Sequence, residues 1–213
     1  MKLYVDRSGA PNPRRALMFL AEKGIDVPLE RVDLGKAEHL SEEFAGINPL
    51  KRLPVLVLDD GTAISESVAI SRYFEEIHPE PPLFGTGAKD RALVEMWNRR
   101  IDLNLGTAVM AVFRHTHPAM AAFEVPQVPQ WAEANRPRLL DFLRLLDGEL
   151  AGRAFVAGDG FSIADISAYC YVEYLRPARM AVPEDCTYLL DWKARIGARP
   201  SAVATGRATG AKT

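Results

Sequence analysis

The stretch from Asn48 to Ser67 reads Asn-Pro-Leu-Lys-Arg-Leu-Pro-Val-Leu-Val-Leu-Asp-Asp-Gly-Thr-Ala-Ile-Ser-Glu-Ser, and its pattern decides the fold. A short, mostly apolar run covers 53–58, an Asp-Gly turn closes it, and Ile64 follows, which predicts a hairpin of two strands. Pro54 opens the first strand, where a proline removes a ladder donor only at the ladder's first residue. The backbone of Leu53 is therefore left outside ordinary sheet pairing and is open to an extended peptide.

A helix is predicted directly after the hairpin. Ser65-Glu66-Ser67 precedes apolar residues at helical spacing, which are Val68, Ile70, Tyr73, Phe74 and Ile77. The first amides of such a helix have no partner within it, and together with the helix dipole they favour a carboxylate. The predicted strand at 2–6, the hairpin and this helix start therefore form a site for an extended peptide that carries a carboxylate.

This arrangement resembles the cytosolic glutathione S-transferases, whose first domain is thioredoxin-like. The motifs that carry the resemblance are Asn48-Pro49, Leu53-Pro54-Val55, Asp60-Gly61, Glu66-Ser67 and Ala69-Ile70-Ser71-Arg72-Tyr73. In that family the proline is cis, the residue before it pairs through its main chain with the cysteinyl unit of glutathione, and the Glu-Ser pair holds the γ-glutamyl end. The resemblance implies that Leu53, Pro54, Glu66 and Ser67 bind glutathione. The alternative for Glu66 is that of a first-turn acid that only favours its helix.

The segment before the hairpin is similar to theta-type transferases. In these proteins a histidine, and the basic residue before the apolar-proline pair, hold the glycyl carboxylate of glutathione; the matching residues here are His39 and Arg52. Charge-assisted hydrogen bonds of that kind are roughly twice as strong as neutral ones. The alternative interpretation is a loop histidine, with Lys51-Arg52 as a solvated pair of cations.

The family's chemistry requires an ionised sulfur, and here the sequence departs from the family pattern. A thiol has a pKa of ~8.5, and each unit of depression needs about 1.4 kcal/mol of preferential stabilisation. Bacterial relatives often read Ser-Pro-Asn or Thr-Pro-Asn where this chain reads Ala10-Pro11-Asn12, and Ala10 carries no hydroxyl. The candidate catalytic donors are Ser8 and the side-chain amide of Asn12, the latter as in relatives of the yeast prion-like group. A main-chain amide is the third alternative, and Ser8 is equally interpretable as a turn residue.

The order of elements predicts the fold class. A strand at 2–6, a helix at 14–23 ended by Gly24, and a strand at 29–32 form a parallel β-α-β crossover, which the hairpin and its helix complete. This is an α/β thioredoxin-like N-terminal domain, and the rest of the chain has helical periodicity. We predict a thioredoxin-like glutathione-binding domain over 1–78, a proline-rich linker over 79–88 and an all-helical domain over 89–213.

The helical part has three clear patterns. An apolar stripe predicts one long helix that stops before Pro118; its members are Leu93, Trp97, Ile101, Leu105, Ala108 and Val112. Further helices are predicted over 131–150, with Pro137 inside, and over 188–196. Between them Ser162-x-x-Asp165 is a capping box whose context is similar to that in the helical domain of glutathione transferases, so we interpret Asp165 as structural.

The resemblance also implies an electrophile pocket between the thioredoxin-like domain and the long helix. Its candidate residues are Asn104, Met110, Phe113, Arg114 and His117. Met110 and Phe113 equally suit a hydrophobic core. His115 and His117, two positions apart on a helix, point in different directions, so the sequence predicts no metal site there.

Composition narrows the class of partner. The 213 residues carry a formal net charge of −2, which gives no general attraction for nucleic acid or anionic lipid. The two cysteines, Cys170 and Cys186, form neither a disulfide framework nor a Cys-x-x-Cys motif. The first residues lack the pattern of a secretion signal and no apolar run reaches membrane length, so we expect a cytoplasmic protein.

The resulting expectation is a glutathione transferase in which the thiolate of reduced glutathione, a co-substrate, attacks a small hydrophobic electrophile. A glutathione-dependent isomerase, dehalogenase or disulfide reductase on the same site is the alternative within enzymes. A non-catalytic glutathione-transferase-like binding protein is the alternative outside them, because Ala10 lacks the hydroxyl. The resemblance further implies a role in detoxification and a homodimer, with Arg72, Arg99 and Arg100 near its seam.

Overall fold

A four-stranded sheet organises the first part of the chain. In the computed structural model, which describes residues 1–6 and 9–206, its strands are β1 (Lys2–Asp6), β2 (Leu29–Val32), β3 (Val55–Val57) and β4 (Ala63–Ser65). The spatial order is β2-β1-β3-β4, with β2 parallel to β1 and with β3 and β4 antiparallel to their neighbours. This mixed sheet is the one predicted for a thioredoxin-like domain.

The helices of this part are α1 (Pro11–Lys23), α2 (Glu42–Ile47) and α3 (Ser67–Ile77). Gly24 ends α1 at a φ of 64°, which a residue without a Cβ adopts readily. Helix α2 was not predicted; Ser41 caps it, accepting a hydrogen bond from the Phe44 amide at 3.1 Å. Sheet, α1 and α3 share a core whose most deeply buried members include Leu3, Val5, Met18, Phe19, Leu56, Ile70 and Phe74.

The hairpin has the predicted turn. Gly61 stands at a φ of 86°, and its amide donates to the carbonyl of Leu58 at 3.0 Å. Asp60 accepts a hydrogen bond from the Thr62 amide at 2.9 Å, which fixes the other side of the turn. The register pairs Val55 with both Tyr4 and Ser65, so the ladder begins one residue after Pro54.

Lys23, the last residue of α1, binds the end of α3 and the chain that follows it through an ion pair and hydrogen bonds. Its side chain is fully buried, its ammonium lies 2.5 Å from Glu75, and it donates to the carbonyls of His78, Pro79 and Pro81 at 2.7, 3.2 and 2.6 Å. The three carbonyls satisfy the three donors of the ammonium, and the carboxylate of Glu75 balances its charge. The chain that leaves α3 is therefore held at a defined point.

The second part of the described chain is all-helical, as predicted. It contains α4 (Gly87–Arg100), a π-helical segment (Ile101–Gly106), α5 (Thr107–Thr116), α6 (Pro129–Leu150), α7 (Ile163–Glu173) and α8 (Thr187–Gly197). Pro129 occupies the first turn of α6, and Pro137 lies inside this 22-residue helix. Within the predicted long stripe every residue except Leu93 is buried.

The stripe does not form one uninterrupted α-helix, because it passes through the π-helical segment. Gly106 lies against the ring of Tyr171, where an added Cβ would come within 2.6 Å of Cζ. The Tyr171 hydroxyl donates to the Asp102 carboxylate at 3.2 Å, and the Thr107 hydroxyl donates to the Asp102 carbonyl at 3.1 Å. The Thr107 hydroxyl thus satisfies one backbone carbonyl of the segment, and Tyr171 contacts the segment from α7.

The capping box at the start of α7 is present, and it forms a buried anchor. Asp165 is fully buried and accepts hydrogen bonds from the Val156 amide at 2.9 Å, the Ser162 amide at 3.1 Å and the Trp192 indole at 2.9 Å. Burial raises the pKa of Asp165 to about 6, against the lowering effect of these donors. Asp165 is therefore a structural residue, as interpreted from the sequence.

The described residues divide into two compact units: one holds those before Leu83 together with 199–206, and the other is Leu83–Ala198. The domain limits 1–78, 79–88 and 89–213 stay a prediction. A last helix, α9 (Pro200–Ala204), was not predicted and belongs to the first unit. Arg14 of α1 donates to the carbonyl of Ala202 at 3.2 Å, and Glu22 accepts from Arg199.

Candidate functional site

The Leu53–Pro54 peptide bond is cis, as the resemblance implied. Leu53 lies outside the strand ladders and packs against the small core cluster of Val32, Phe44 and Val55. Just before it, the buried side chain of Asn48 donates to the carbonyl of Arg52 at 2.9 Å. The turn that presents Leu53 is therefore fixed by a side chain within its own loop.

Glu66 has an unusual backbone, with a φ of 69° and a ψ of 116° at the N-cap of α3. Its side chain is exposed and forms no capping hydrogen bond, and the first turn of α3 contains no acidic residue. A non-glycine residue in this region costs on the order of 1–3 kcal/mol and is found most often at functional sites. The first amides of α3 are thus presented without a protein carboxylate from that turn.

Ser67 is the first residue of α3, and only 3% of its surface is exposed. Its Oγ accepts a hydrogen bond from Nη1 of Arg15 at 3.3 Å. The Ser71 hydroxyl donates to the Ser67 carbonyl at 2.8 Å, within α3. Arg15 itself is 3% exposed, so a buried guanidinium supports the serine that the resemblance assigns to glutathione.

His39 lies in a one-turn 3₁₀ helix and is 8% exposed. Burial lowers the pKa of His39, and the positive charge of Arg52 lowers it further, so the imidazole is neutral at neutral pH. Lys51 is partly exposed and donates to the Leu40 carbonyl at 2.9 Å and to Glu42 at 3.0 Å. His39 and Arg52 thus form a neutral donor beside a cation, which suits a carboxylate.

The start of α1 is where the resemblance expects the sulfur donor. Ala10 is its N-cap, and the Ala10 amide donates to the buried carboxylate of Asp6 at 3.1 Å. Pro11 and Pro13 have no N–H, so Asn12 supplies the one main-chain donor among the first three helical positions. The side-chain amide and the main-chain amide of Asn12 therefore both stay predicted hydrogen-bond donors to the sulfur. Ser8, the other predicted donor, lies outside the described residues.

Arg15 was missed by the sequence reasoning. The pair Arg14-Arg15 sits in the first turns of a helix that is otherwise largely apolar, and both side chains are buried. The signal available in the sequence is two adjacent arginines within an otherwise apolar helix pattern. Charged side chains are rarely buried without partners, so such a pair indicates specific partners for each arginine. Arg14 faces Ala202 and Arg15 faces Ser67, so the two arginines serve different neighbours.

Three of the predicted electrophile residues lie together at the end of α5. The ring of Phe113 is 4.8 Å from the ring of His117 and 4.9 Å from that of Tyr174. Arg114 pairs with Glu124 at 2.5 Å, so its charge is matched within its own unit. Asn104 is exposed on the π-helical segment, where its side chain donates to the Arg100 carbonyl at 2.9 Å.

Met110 lies one turn before Phe113 and is partly buried. His117 Nδ1 accepts from the Ala119 amide at 3.2 Å, and His115 Nδ1 accepts from the Val128 amide at 3.1 Å. The two imidazoles thus bond to different backbone segments. The assignment of Asn104, Met110, Phe113, Arg114 and His117 to an electrophile pocket stays a prediction.

Two further properties bear on the class of site. Within residues 1–6 and 9–206 no three His, Cys, Asp or Glu side chains are grouped so that they could hold a metal ion. In the same described ranges, no helix combines the length and the apolar character that crossing a membrane requires.

Comparison with known proteins agrees with this geometry. The model of the glutathione S-transferase N-terminal domain matches residues 10–77, and that of the C-terminal domain matches residues 129–198. Glutathione S-transferase 2 of Saccharomyces cerevisiae is 35% identical over 202 residues, which cover 93% of this chain and 87% of that protein. Human glutathione S-transferase theta-1 is 31% identical, over 93% of this chain and 82% of its own length.

Solved structures give the same result. The crystal structure of a glutathione S-transferase domain-containing protein of Marinobacter aquaeolei superimposes with a TM-score of 0.91 at 38% identity, covering 95% of this chain and all of that one. The similarity thus extends over both units and over the sheet that carries the candidate site. The chain belongs to the glutathione S-transferase family.

Proposed function

We propose that this protein is a glutathione transferase that attaches reduced glutathione to small hydrophobic electrophiles. The observation that carries the proposal is the buried Ser67 at the start of α3, which follows the strained Glu66. Anions bind at such helix starts because several amides and the helix dipole point at them. The α-carboxylate of the γ-glutamyl unit is the matching group, and its ammonium suits the exposed carboxylate of Glu66.

The cysteinyl and glycyl units of the tripeptide also have matching partners. The main chain of Leu53, outside the strand ladders, offers backbone hydrogen bonds to the cysteinyl unit. The neutral His39 and the charged Arg52 offer donors to the glycyl carboxylate. These groups come from separate parts of the first unit, so they specify a ligand with charges at both ends and a peptide in between.

Activation of the sulfur is assigned in this proposal to the start of α1. A thiolate near the amide and side chain of Asn12 would be stabilised by hydrogen bonds and by the positive end of the 13-residue helix. Catalysis would then consist of thiolate stabilisation and proximity to the electrophile. The apolar electrophile would contact Phe113 and Met110, with polar groups from Asn104, Arg114 and His117.

A second candidate function is supported by Ala10. Its methyl group stands at the N-cap, where the family places a hydroxyl, and it forms no capping hydrogen bond. A protein that binds glutathione and does not ionise it would be a non-catalytic member of the family. Isomerase, dehalogenase or disulfide-reductase chemistry on the same site would instead need the thiolate.

A conjugation assay separates these functions. Wild-type protein is mixed with reduced glutathione and chlorodinitrobenzene, and the rate of thioether formation is followed across pH 6 to 9. We expect turnover well above the uncatalysed rate, with the advantage largest at low pH, where free glutathione is mostly protonated. Tight glutathione binding without any acceleration would support the non-catalytic function and contradict the transferase.

Family membership also supports a cytoplasmic homodimer. The family pairs the first domain of one subunit with the helical domain of another, and we assign Arg72, Arg99 and Arg100 to that seam. Light scattering at micromolar concentration should give twice the monomer mass of 23.5 kDa. A monomer at that concentration contradicts this part of the proposal.

A further inference from the structure

We propose that Arg15 is a positioning residue for the ligand: it fixes the Ser67 hydroxyl as a hydrogen-bond acceptor, so that the hydroxyl's own hydrogen donates to the γ-glutamyl carboxylate. The inference rests on the proposed function and deepens it. It assigns a role to a buried arginine that acts on the ligand through Ser67.

The contact that carries the inference is a buried hydrogen bond between two helices. Nη1 of Arg15 lies 3.3 Å from Oγ of Ser67, and each of these residues is 3% exposed. Arg15 is in α1 and Ser67 begins α3, two helices that pack against each other. The arginine therefore contacts the serine across the packed surfaces of two helices, within the buried part of the first unit.

The chemistry of the two groups sets the direction of the bond. A guanidinium has only donors, so Oγ must accept from Arg15. A serine hydroxyl has one hydrogen of its own, and within the described residues that hydrogen is donated to no protein acceptor. The hydroxyl is thus left with one hydrogen to donate, beside the first amides of α3.

A ligand acceptor matches this hydrogen and the first amides of α3. An ionised carboxylate only accepts hydrogen bonds, so it matches both the hydroxyl hydrogen and the amides. An amine or amide N–H in the same place would face the donating amides of α3 and could bond only to the second lone pair of Oγ. The buried positive charge of Arg15 and the positive end of α3, whose first turn has no acid, act in the same direction.

Arg14 is the matched neighbour for a test. It is also buried, at 6% exposure, but donates to the carbonyl of Ala202 in α9 and not to Ser67. Substitution of either arginine by methionine removes a buried cation from α1 at adjacent positions. A loss specific to the ligand's carboxylate is expected only for Arg15.

The experiment compares two ligands by calorimetry at pH 7. One is glutathione, and the other is γ-aminobutyryl-cysteinyl-glycine, which lacks the γ-glutamyl α-carboxylate. Arg15→Met should bind glutathione about tenfold more weakly than wild type, the effect of losing about one charge-assisted bond, and should bind the analogue with unchanged affinity. Arg15→Lys, which keeps a cationic donor, should recover part of the loss, and Arg14→Met should retain wild-type affinity for both ligands.

A double substitution tests the route through the serine. Ser67→Ala should lose about as much glutathione affinity as Arg15→Met, and the double variant should lose little more than either, because both changes remove the same directed hydroxyl. Additive losses would overturn the inference. Should Arg15→Met fail to fold, Arg15→Gln, which is too short to reach Ser67, must show the same ligand-selective loss.

The remaining outcomes are distinguishable. Wild-type affinity in Arg15→Met, or an equal loss for glutathione and the analogue, overturns the positioning role while wild type still binds glutathione. If wild type binds neither ligand, the proposed function fails and this inference fails with it.

Discussion

Arg199 and Glu22, which are 177 positions apart in the sequence, form a bidentate ion pair. Nε of Arg199 lies 2.8 Å from Oε1 of Glu22, and Nη2 lies 2.7 Å from Oε2. The Ser201 hydroxyl bonds to the same carboxylate. The pair attaches α9 to α1, the helix whose first turn is assigned to the sulfur of glutathione. Helix α9 thereby stabilises the position of α1 in the candidate site.

Glu22→Gln should weaken this attachment and lower the free energy of unfolding at pH 7 by about 1 kcal/mol, because a bidentate charge-assisted pair becomes a neutral contact. Burial alone would raise the pKa of Glu22, but the bonds from Arg199 and Ser201 outweigh burial and lower it. A lowered pKa contributes stability above the unfolded value near 4.5, and this contribution is lost as the pH falls through the folded value. Urea unfolding at pH 7 and pH 3.5 checks both statements.

The control for Glu22→Gln is Glu133→Gln, in an exposed pair with Arg136 on α6. It should change the free energy of unfolding by less than about 0.5 kcal/mol. A difference between wild type and Glu22→Gln that persists unchanged at pH 3.5 would contradict the assigned cause.

Asp165→Asn should destabilise the helical unit by about 3 kcal/mol at pH 7.5, where a carboxyl with a pKa of about 6 is ionised. The amide nitrogen of asparagine would replace one of the two oxygens, so it would face either the Ser162 amide or both the Val156 amide and the Trp192 indole, which are donors themselves. Thermal or urea unfolding measures the loss. Asp159→Asn, at an exposed position, is the control and should remain near wild type.

Binding of glutathione should take up protons through His39. The pKa of free His39 is lowered by burial and by Arg52, and a carboxylate placed against it would favour the protonated imidazole and raise that pKa. S-methylglutathione, which has no thiol to titrate, should therefore bind more tightly as the pH falls from 7.5 to 6. Calorimetry in buffers of different ionisation enthalpy counts the protons, and His39→Gln should abolish the uptake. Proton release by wild type would be incompatible with a carboxylate at His39.

Asn12→Ala should raise the pKa of bound glutathione and cut turnover at neutral pH by roughly ten- to a hundredfold, the effect of losing about 1.4–2.8 kcal/mol of thiolate stabilisation. Affinity for glutathione should change little. If Ser8 is the donor, Ser8→Ala shows this profile and Asn12→Ala stays near wild type. If the main-chain amide of Asn12 is the donor, neither substitution shows this profile. Ala10→Ser is the complementary variant, and it should raise turnover if the missing hydroxyl limits the rate.

Local patterns in the sequence predicted much of this fold because they act over short distances. The strands at 2–6 and 29–32, the proline-led hairpin and the capping box at Asp165 each depend on neighbours within a few residues. The π-helical segment depends on Gly106 against Tyr171, 65 positions later, and α9 depends on Glu22. Contacts of that kind leave no local periodicity from which they could be predicted.

The candidate site divides in the same way. Leu53, Glu66 and Ser67 are predictable because a turn and a helix start place them. Arg15 was not predicted, since only the packing of α1 on α3 brings its guanidinium to Ser67.

The most direct test of the central claim is a calorimetric titration of glutathione into wild type and into Glu66→Ala, Ser67→Ala and Arg52→Ala. Asp159→Ala, an exposed turn residue of the helical unit, is the control. We expect wild type to bind glutathione, each of the three site variants to lose about 1–3 kcal/mol of binding free energy from bonds to charged groups, and the control to match wild type. Unchanged affinity across all three site variants, or no binding by wild type, would contradict the site described above.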